Sequence, residues 1–151
     1  YIDLKMKEKY GENYKSEIEN DAIKILIKNI NNNNKIISIY DLEQNEKPII
    51  LNPKIAIEND YSTTIKTDLP INRKSMHYLF TDIDFIVEKD GTISNIKQTN
   101  WVNEKGIDEK YKQDLINLTI HTLKKDYNSW KPGTYKGNKA RIQNNLRISF
   151  E

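Results

Sequence analysis

The stretch Phe80-Thr-Asp-Ile-Asp-Phe-Ile-Val-Glu-Lys-Asp-Gly-Thr-Ile-Ser-Asn-Ile96 decides the fold. Thr81, Ile83, Phe85 and Val87 alternate with Asp82, Asp84 and Ile86, the period of a strand with one buried face. Glu88-Lys-Asp-Gly91 then supplies a hairpin turn, with Gly91 able to take positive φ. The returning strand carries Ile93 and Ile96, three apart where strict alternation demands two or four. A bulge near Ser94-Asn95 is expected to bring both to one face. Trp101 and Val102 follow.

Downstream, Asp108 to Tyr127 reads as an amphipathic helix with Leu115, Ile116, Leu118, Ile120, Leu123 and Tyr127 on one wide face. Asp108 and Glu109 near its start and Lys124 and Lys125 near its end suit the helix dipole. Trp130-Lys-Pro-Gly133 cannot continue that helix: Trp130 is expected to close it against the sheet and Pro132 to end it, Gly133 is structural, and Gly91 and Gly106 are turn residues. The last segment alternates Ala140, Ile142, Asn144, Leu146, Ile148 and Phe150 with Arg141, Gln143, Asn145, Arg147 and Ser149, a long half-buried strand. Hairpin, helix and strand make a ββαβ unit at about residues 71–151, an antiparallel three-stranded sheet covered by one helix. The fold class is α+β.

Residues 1–70 read as a small region of one helix plus strands, either packed on the ββαβ unit or standing beside it. Ser16 to Ile30 repeats Ile18, Ala22, Ile25, Leu26 and Ile30 at helical spacing, with Ser16 as N-cap and Glu19 three residues on. After the Asn31–Asn34 run, read as a polar loop, short strands are expected within Lys35–Tyr40, Pro48–Ile57 and Tyr61–Thr67. Pro53 makes the second either an edge strand or two extended pieces.

The chain has 151 residues, enough to bury a core without disulfides or metals. It contains no cysteine, which excludes thiolate nucleophiles, Cys-ligated zinc and iron–sulfur clusters. Its charges, 24 basic against 22 acidic, are scattered, so bulk charge points to neither nucleic acid nor a membrane surface. No apolar run approaches the 18 or so residues needed to span a bilayer. Catalytic chemistry finds no foothold either. Asp82 and Asp84 share a strand face at roughly 7 Å, but no glutamate or histidine at definite spacing completes a site. His77 and His121 are isolated, and no serine elbow or phosphate loop occurs. Trp101 is the aromatic left for ligand contact. Lys139, Arg141, Gln143, Asn145 and Arg147 form a basic stripe without interleaved aromatics, the face of a solvated strand. The expectation is a non-enzymatic protein with no metal and no cofactor.

Phe85 to Ile96, the helix, Trp130-Lys-Pro-Gly133, Lys136-Gly-Asn-Lys139 and the closing strand ending Ile148-Ser-Phe150 together resemble the C-terminal domain of TonB-family energy transducers of the Bacteroidota type. The resemblance spans roughly Leu79 to Phe150. It implies a periplasmic domain, anchored to a membrane through a segment outside this chain. Its last strand pairs with an extended segment of an outer-membrane receptor for energy-coupled transport, a β-augmentation. On that implication, Arg141, Gln143, Asn145 and Arg147 flank the bound segment, while Asn144 and Asn145 interrupt an otherwise sticky apolar edge. Residues 1–70 are not the proline-rich spacer of such transducers, since the whole chain holds four prolines. That keeps a second reading open: a stand-alone periplasmic or lipoprotein structural module of TonB-like fold without a transport role. In it the same strand pairs in a homodimer or is covered by residues 1–70.

Overall fold

The computed structural model describes residues 14–31, 35–55, 57, 61–71, 79–104 and 109–151. Helix α1 (Tyr14–Asn31) is followed by β1 (Ile36–Ser38), two short 3-10 turns, β2 (Ile49–Ile50) and β3 (Ser62–Ile65). Then come β4 (Leu79–Val87), β5 (Ile93–Asn103), helix α2 (Lys112–Asp126), β6 (Trp130–Lys131), β7 (Thr134–Tyr135), β8 (Asn138–Lys139) and β9 (Arg141–Phe150). The class is α+β. None of the helices among the described residues is long and apolar enough to cross a membrane.

The β4–β5 hairpin forms as its sequence demands. Gly91 takes φ +84° and its N–H bonds the Glu88 carbonyl at 2.9 Å, while Asp90 Oδ1 accepts from the Thr92 N–H and hydroxyl. Asn95 and Ile96 stand opposite Phe85, with Asn95 at φ +49°, which is the expected bulge. Ile93 and Ile96 both pack on the core as a result. A second irregularity, unheralded by the sequence, leaves Thr99 between the Asp82–Asn100 and Ile83–Gln98 pairs.

β9 is not an edge strand. One side runs antiparallel to β4, from Phe80 opposite Ser149 to Val87 opposite Ile142. The other side carries two short parallel strands: β1 against Arg141–Gln143 and β3 against Arg147–Phe150. Of the two states open to that edge, free for a partner or covered by residues 1–70, the second is found: residues from the first 70 complete the sheet, whose order is β1 and β3, β9, β4, β5. The outermost strand on the far side is β5.

Ile142, Leu146, Ile148 and Phe150 are almost wholly inaccessible, while Arg141 and Arg147 lie on the opposite face. A one-residue slip of β9 would exchange the two sets. At about 1.5–3 kcal/mol per large apolar side chain, it would forfeit roughly 6–12 kcal/mol, comparable to the whole stability of a domain. The register is thus fixed by burial alone. Inside, Leu146, Ile148 and Phe150 cluster with Ile83, Phe85, Leu115 and Leu123, and Trp130 closes the end of α2: its ring lies 5.8 Å from that of Phe85, and its Nε1–H donates to the Tyr127 carbonyl at 2.6 Å. A smaller cluster, Ile30, Ile37, Ile39, Leu42, Ala140 and Ile142, joins α1 and β1 to the start of β9.

Three details of the first 70 residues differ from expectation. Helix α1 begins at Tyr14, which puts Ser16 inside the helix and not at its cap. The face turned toward the protein is Ile23, Leu26, Ile27 and Ile30, whereas Ile18, Ala22 and Ile25 are exposed. With isoleucine at 18, 23, 25, 27 and 30, two faces carry apolar residues at helical spacing, so periodicity does not choose between them. Strand structure in Pro48–Ile57 shrinks to Ile49–Ile50, because Asn52 accepts from the Lys54 and Ile55 N–H groups and turns the chain at Pro53.

The hairpin tip is clamped onto the chain after α2: the Trp130 N–H donates to the Gly91 carbonyl at 2.9 Å, and a Cβ on Gly91 would lie 2.3 Å from the Trp130 oxygen. Gly91→Ala therefore combines a left-handed alanine with a steric clash. It is expected to cost at least about 2 kcal/mol. For a chain of this size that lowers the melting midpoint by about 4–8 °C, measurable by circular dichroism, and a loss below 1 °C would refute the clamp.

Candidate binding site

The side chains expected to flank a partner segment all project from the outer face of β9, where the structure ties three of them to their own sheet. Arg141 makes a two-pronged ion pair with Glu88, at 2.9 and 3.0 Å. Arg147 does the same with Asp82, at 2.9 and 3.1 Å, and its guanidinium lies 4.0 Å from the centre of the Phe80 ring. Asn145 accepts from the Tyr40 hydroxyl at 2.8 Å. Gln143 stands opposite Ser38 of β1. Two paired forks and one hydroxyl bond leave this face already engaged.

Asp82 and Asp84 sit on the same face. Asp82 is held by Arg147 and also receives the Asn100 amide at 3.3 Å. Burial, reinforced by the neighbouring Asp82 carboxylate, pushes the Asp84 pKa up against the opposing pull of Lys97. Among the described residues no group of three or more His, Asp or Glu side chains is placed to hold a metal ion. His121 is exposed on α2, and His77 and Gly106 lie outside the described residues. Trp101 is half-buried, and its indole N–H donates to Glu109 at 3.1 Å. The same carboxylate takes the Asn103 amide, and both bonds lower the Glu109 pKa. Trp101 thus serves to attach β5 to the turn before α2.

Between β1 and β3 the parallel pairing stops, leaving Asn144, Asn145 and Leu146 without a strand opposite. The Arg147 N–H points to that side, donating to the Tyr61 carbonyl at 2.9 Å. Two residues earlier the Asn145 N–H points the same way, and the Asn144 side-chain oxygen accepts it at 2.9 Å. Asn144 is the polar exception among the inward residues of β9 and is only 2% exposed.

In front of it opens a cleft of about 640 Å³. One wall is the sheet, with Asn144, Leu146 and Trp130; the other is the segment Gln44 to Ile57, with Lys47, Ile50, Ile55 and Ile57, and Tyr61 lies at its side. Gly133 fixes how that segment approaches the sheet, since a Cβ there would lie 2.5 Å from Ile142 and 3.1 Å from Pro48. Gly91, Trp130 and Gly133 thus sit in close contacts, whereas the expectation that Pro132 ends the helix is corrected: α2 stops at Asp126, and Pro132 follows the two-residue β6 strand. Sequence reading missed the cleft. Its one available sign was an asparagine at an inward position of an otherwise apolar register.

In comparisons with known proteins the chain matches no family model, no curated protein and no solved structure.

The Arg141 guanidinium, followed by the Ser94 hydroxyl, holds the Glu88 pKa below the ordinary glutamate range. Because the folded pKa is the lower one, the ionised carboxylate stabilises the fold fully above the unfolded value, and this contribution is lost as pH falls through the folded value. Glu88→Gln is expected to melt below the parent protein at neutral pH and to converge with it on acidification. Parallel melting curves from pH 7 down to strong acid would show that the pair contributes nothing. Asp84 carries the opposite sign. Its ionised form is disfavoured in the fold, so Asp84→Asn is expected to hold or raise the neutral-pH melting point.

Proposed function

We propose that this chain is a non-enzymatic, periplasmic interaction module with a TonB-like ββαβ half, whose closing strand is shielded by its own N-terminal half. The observation that carries the reading is the double pairing of β9, with β4 on one edge and β1 and β3 on the other. The ββαβ half corresponds to β4, β5, α2 and β9, and β3 occupies the edge that the family resemblance would give to a receptor segment. Self-pairing of that kind satisfies the backbone groups a β-augmenting partner would use. The outward side chains of β9 support the same reading, because Arg141, Asn145 and Arg147 are already engaged within the chain. In this form the module has no transport role of its own, and among the described residues the outer edge of β5 is open to a partner strand.

An energy-transducing role is the second reading. It is favoured by the brevity of β3, four residues in register with Arg147–Phe150, which an extended receptor segment would need to displace. The absence of native cysteine allows a direct comparison. Asn145→Cys, coupled to a thiol-to-amine crosslinker in cells of its own source, is expected to capture only nearby residues of this chain or other periplasmic partners. Capture of the N-terminal segment of an outer-membrane receptor, identified by mass spectrometry, would overturn the shielded module and establish the transducer.

A further inference from the structure

Asn144 is buried to all but 2% of its surface, yet only half of its side chain has a partner. Its oxygen must be the atom facing the Asn145 N–H, because that group can only donate, and this assigns the amide orientation. Among the described residues the Nδ2 arm then has no acceptor. Among the described residues no fully occluded side-chain nitrogen or oxygen lacks a partner, so this arm reaches the space of the cleft that Asn144 lines. A donor on the floor of a cleft walled by Ile50, Ile55, Ile57 and Leu146 selects its occupant, since covering it with hydrocarbon alone forfeits a hydrogen bond.

From this we infer that the cleft between the Gln44–Ile57 segment and β9 binds a compact apolar molecule carrying a neutral carbonyl group, with the carbonyl oxygen on Asn144 Nδ2. The volume, about 640 Å³, falls in the range of about 300–1,000 Å³ typical of small-molecule sites. Ile50, Ile55, Ile57 and Leu146 supply dispersion contacts. Trp130 presents its ring and no donor, its Nε1–H being spent on Tyr127. A carboxylate is disfavoured at the floor: among the described lining residues the cationic side chain is Lys47, whose ammonium lies 5.5 Å from the Tyr61 ring centre. This inference goes beyond the shielded module and does not depend on it.

Two neutral dyes of similar size test it on the full chain. One is 6-propionyl-2-dimethylaminonaphthalene, which carries a ketone, and the other is N-phenyl-1-naphthylamine, which has none. In a Trp101→Phe background Trp130 is the sole tryptophan, so energy transfer to the dye reports occupancy of the cleft. The ketone dye is expected to bind with a blue-shifted emission and to quench Trp130. Asn144→Leu is expected to weaken the ketone dye about tenfold and to change the carbonyl-free dye less than about twofold, while Ile57→Trp fills the cleft and removes both. Should Asn144→Leu not fold, Asn144→Asp carries the ketone comparison, because it keeps an acceptor for the Asn145 N–H and lacks the donor. Failure of the parent to bind the ketone dye, binding that survives Ile57→Trp, or equal ketone affinity in a folded Asn144 variant would each overturn the assignment.

Discussion

β9 receives hydrogen bonds along both of its edges, and most of the molecule's organisation follows from that. Its antiparallel contact with β4 sets which face of the hairpin looks inward, and so where α2 and Trp130 must lie. Its parallel contacts capture β1 and β3, two strands of three and four residues that no local signal would stabilise alone. The inward row of isoleucine, leucine and phenylalanine fixes one register, and the outward arginines reach Glu88 and Asp82 only in that register. Burial sets the pairing, and the ion pairs follow it.

The same arrangement separates what the sequence could disclose from what it could not. The hairpin, its bulge at Asn95, helix α2 and the closing role of Trp130 rest on signals within a dozen residues, and each was legible. The place of β9 in the sheet was not, because an edge is free or covered according to segments a hundred residues away. Short strands are expected within Lys35–Tyr40 and Tyr61–Thr67, where Ile36–Ser38 and Ser62–Ile65 lie, but three and four residues carry no signal for the strand they pair with. Arg141, Asn145 and Arg147 were correctly assigned to the outward face. Their partners Glu88, Tyr40 and Asp82 depend on register and packing, which composition does not carry. In α1 the isoleucine-rich sequence satisfied two helical faces equally, and tertiary contact with Ile37 and Ala140 chose between them.

The cleft belongs to the same logic. A gap of three residues between β1 and β3 leaves one backbone N–H without a strand, and Asn144 turns its side chain back to satisfy it. The residue that repairs the sheet therefore faces the interior with half of its amide unused. Gly133, with Ile142 on one side and Pro48 on the other, sets how closely the opposite wall approaches the sheet. Shape and polarity at this position are by-products of how the sheet is completed.

The separation between β9 and its parallel partners governs the order in which the molecule can assemble. The Tyr40–Asn145 bond closes a loop of 105 residues, whereas the β4–β5 hairpin closes across a turn of a few. Loop entropy favours the hairpin first, with α2 beside it, and delays β1 and β3 until the closing strand is in place. During that interval Ile37, Ile39 and Ile65 remain without their burial partners. The molecule is then most exposed to wrong pairing, and its short N-terminal strands limit the length of edge that a wrong partner could hold.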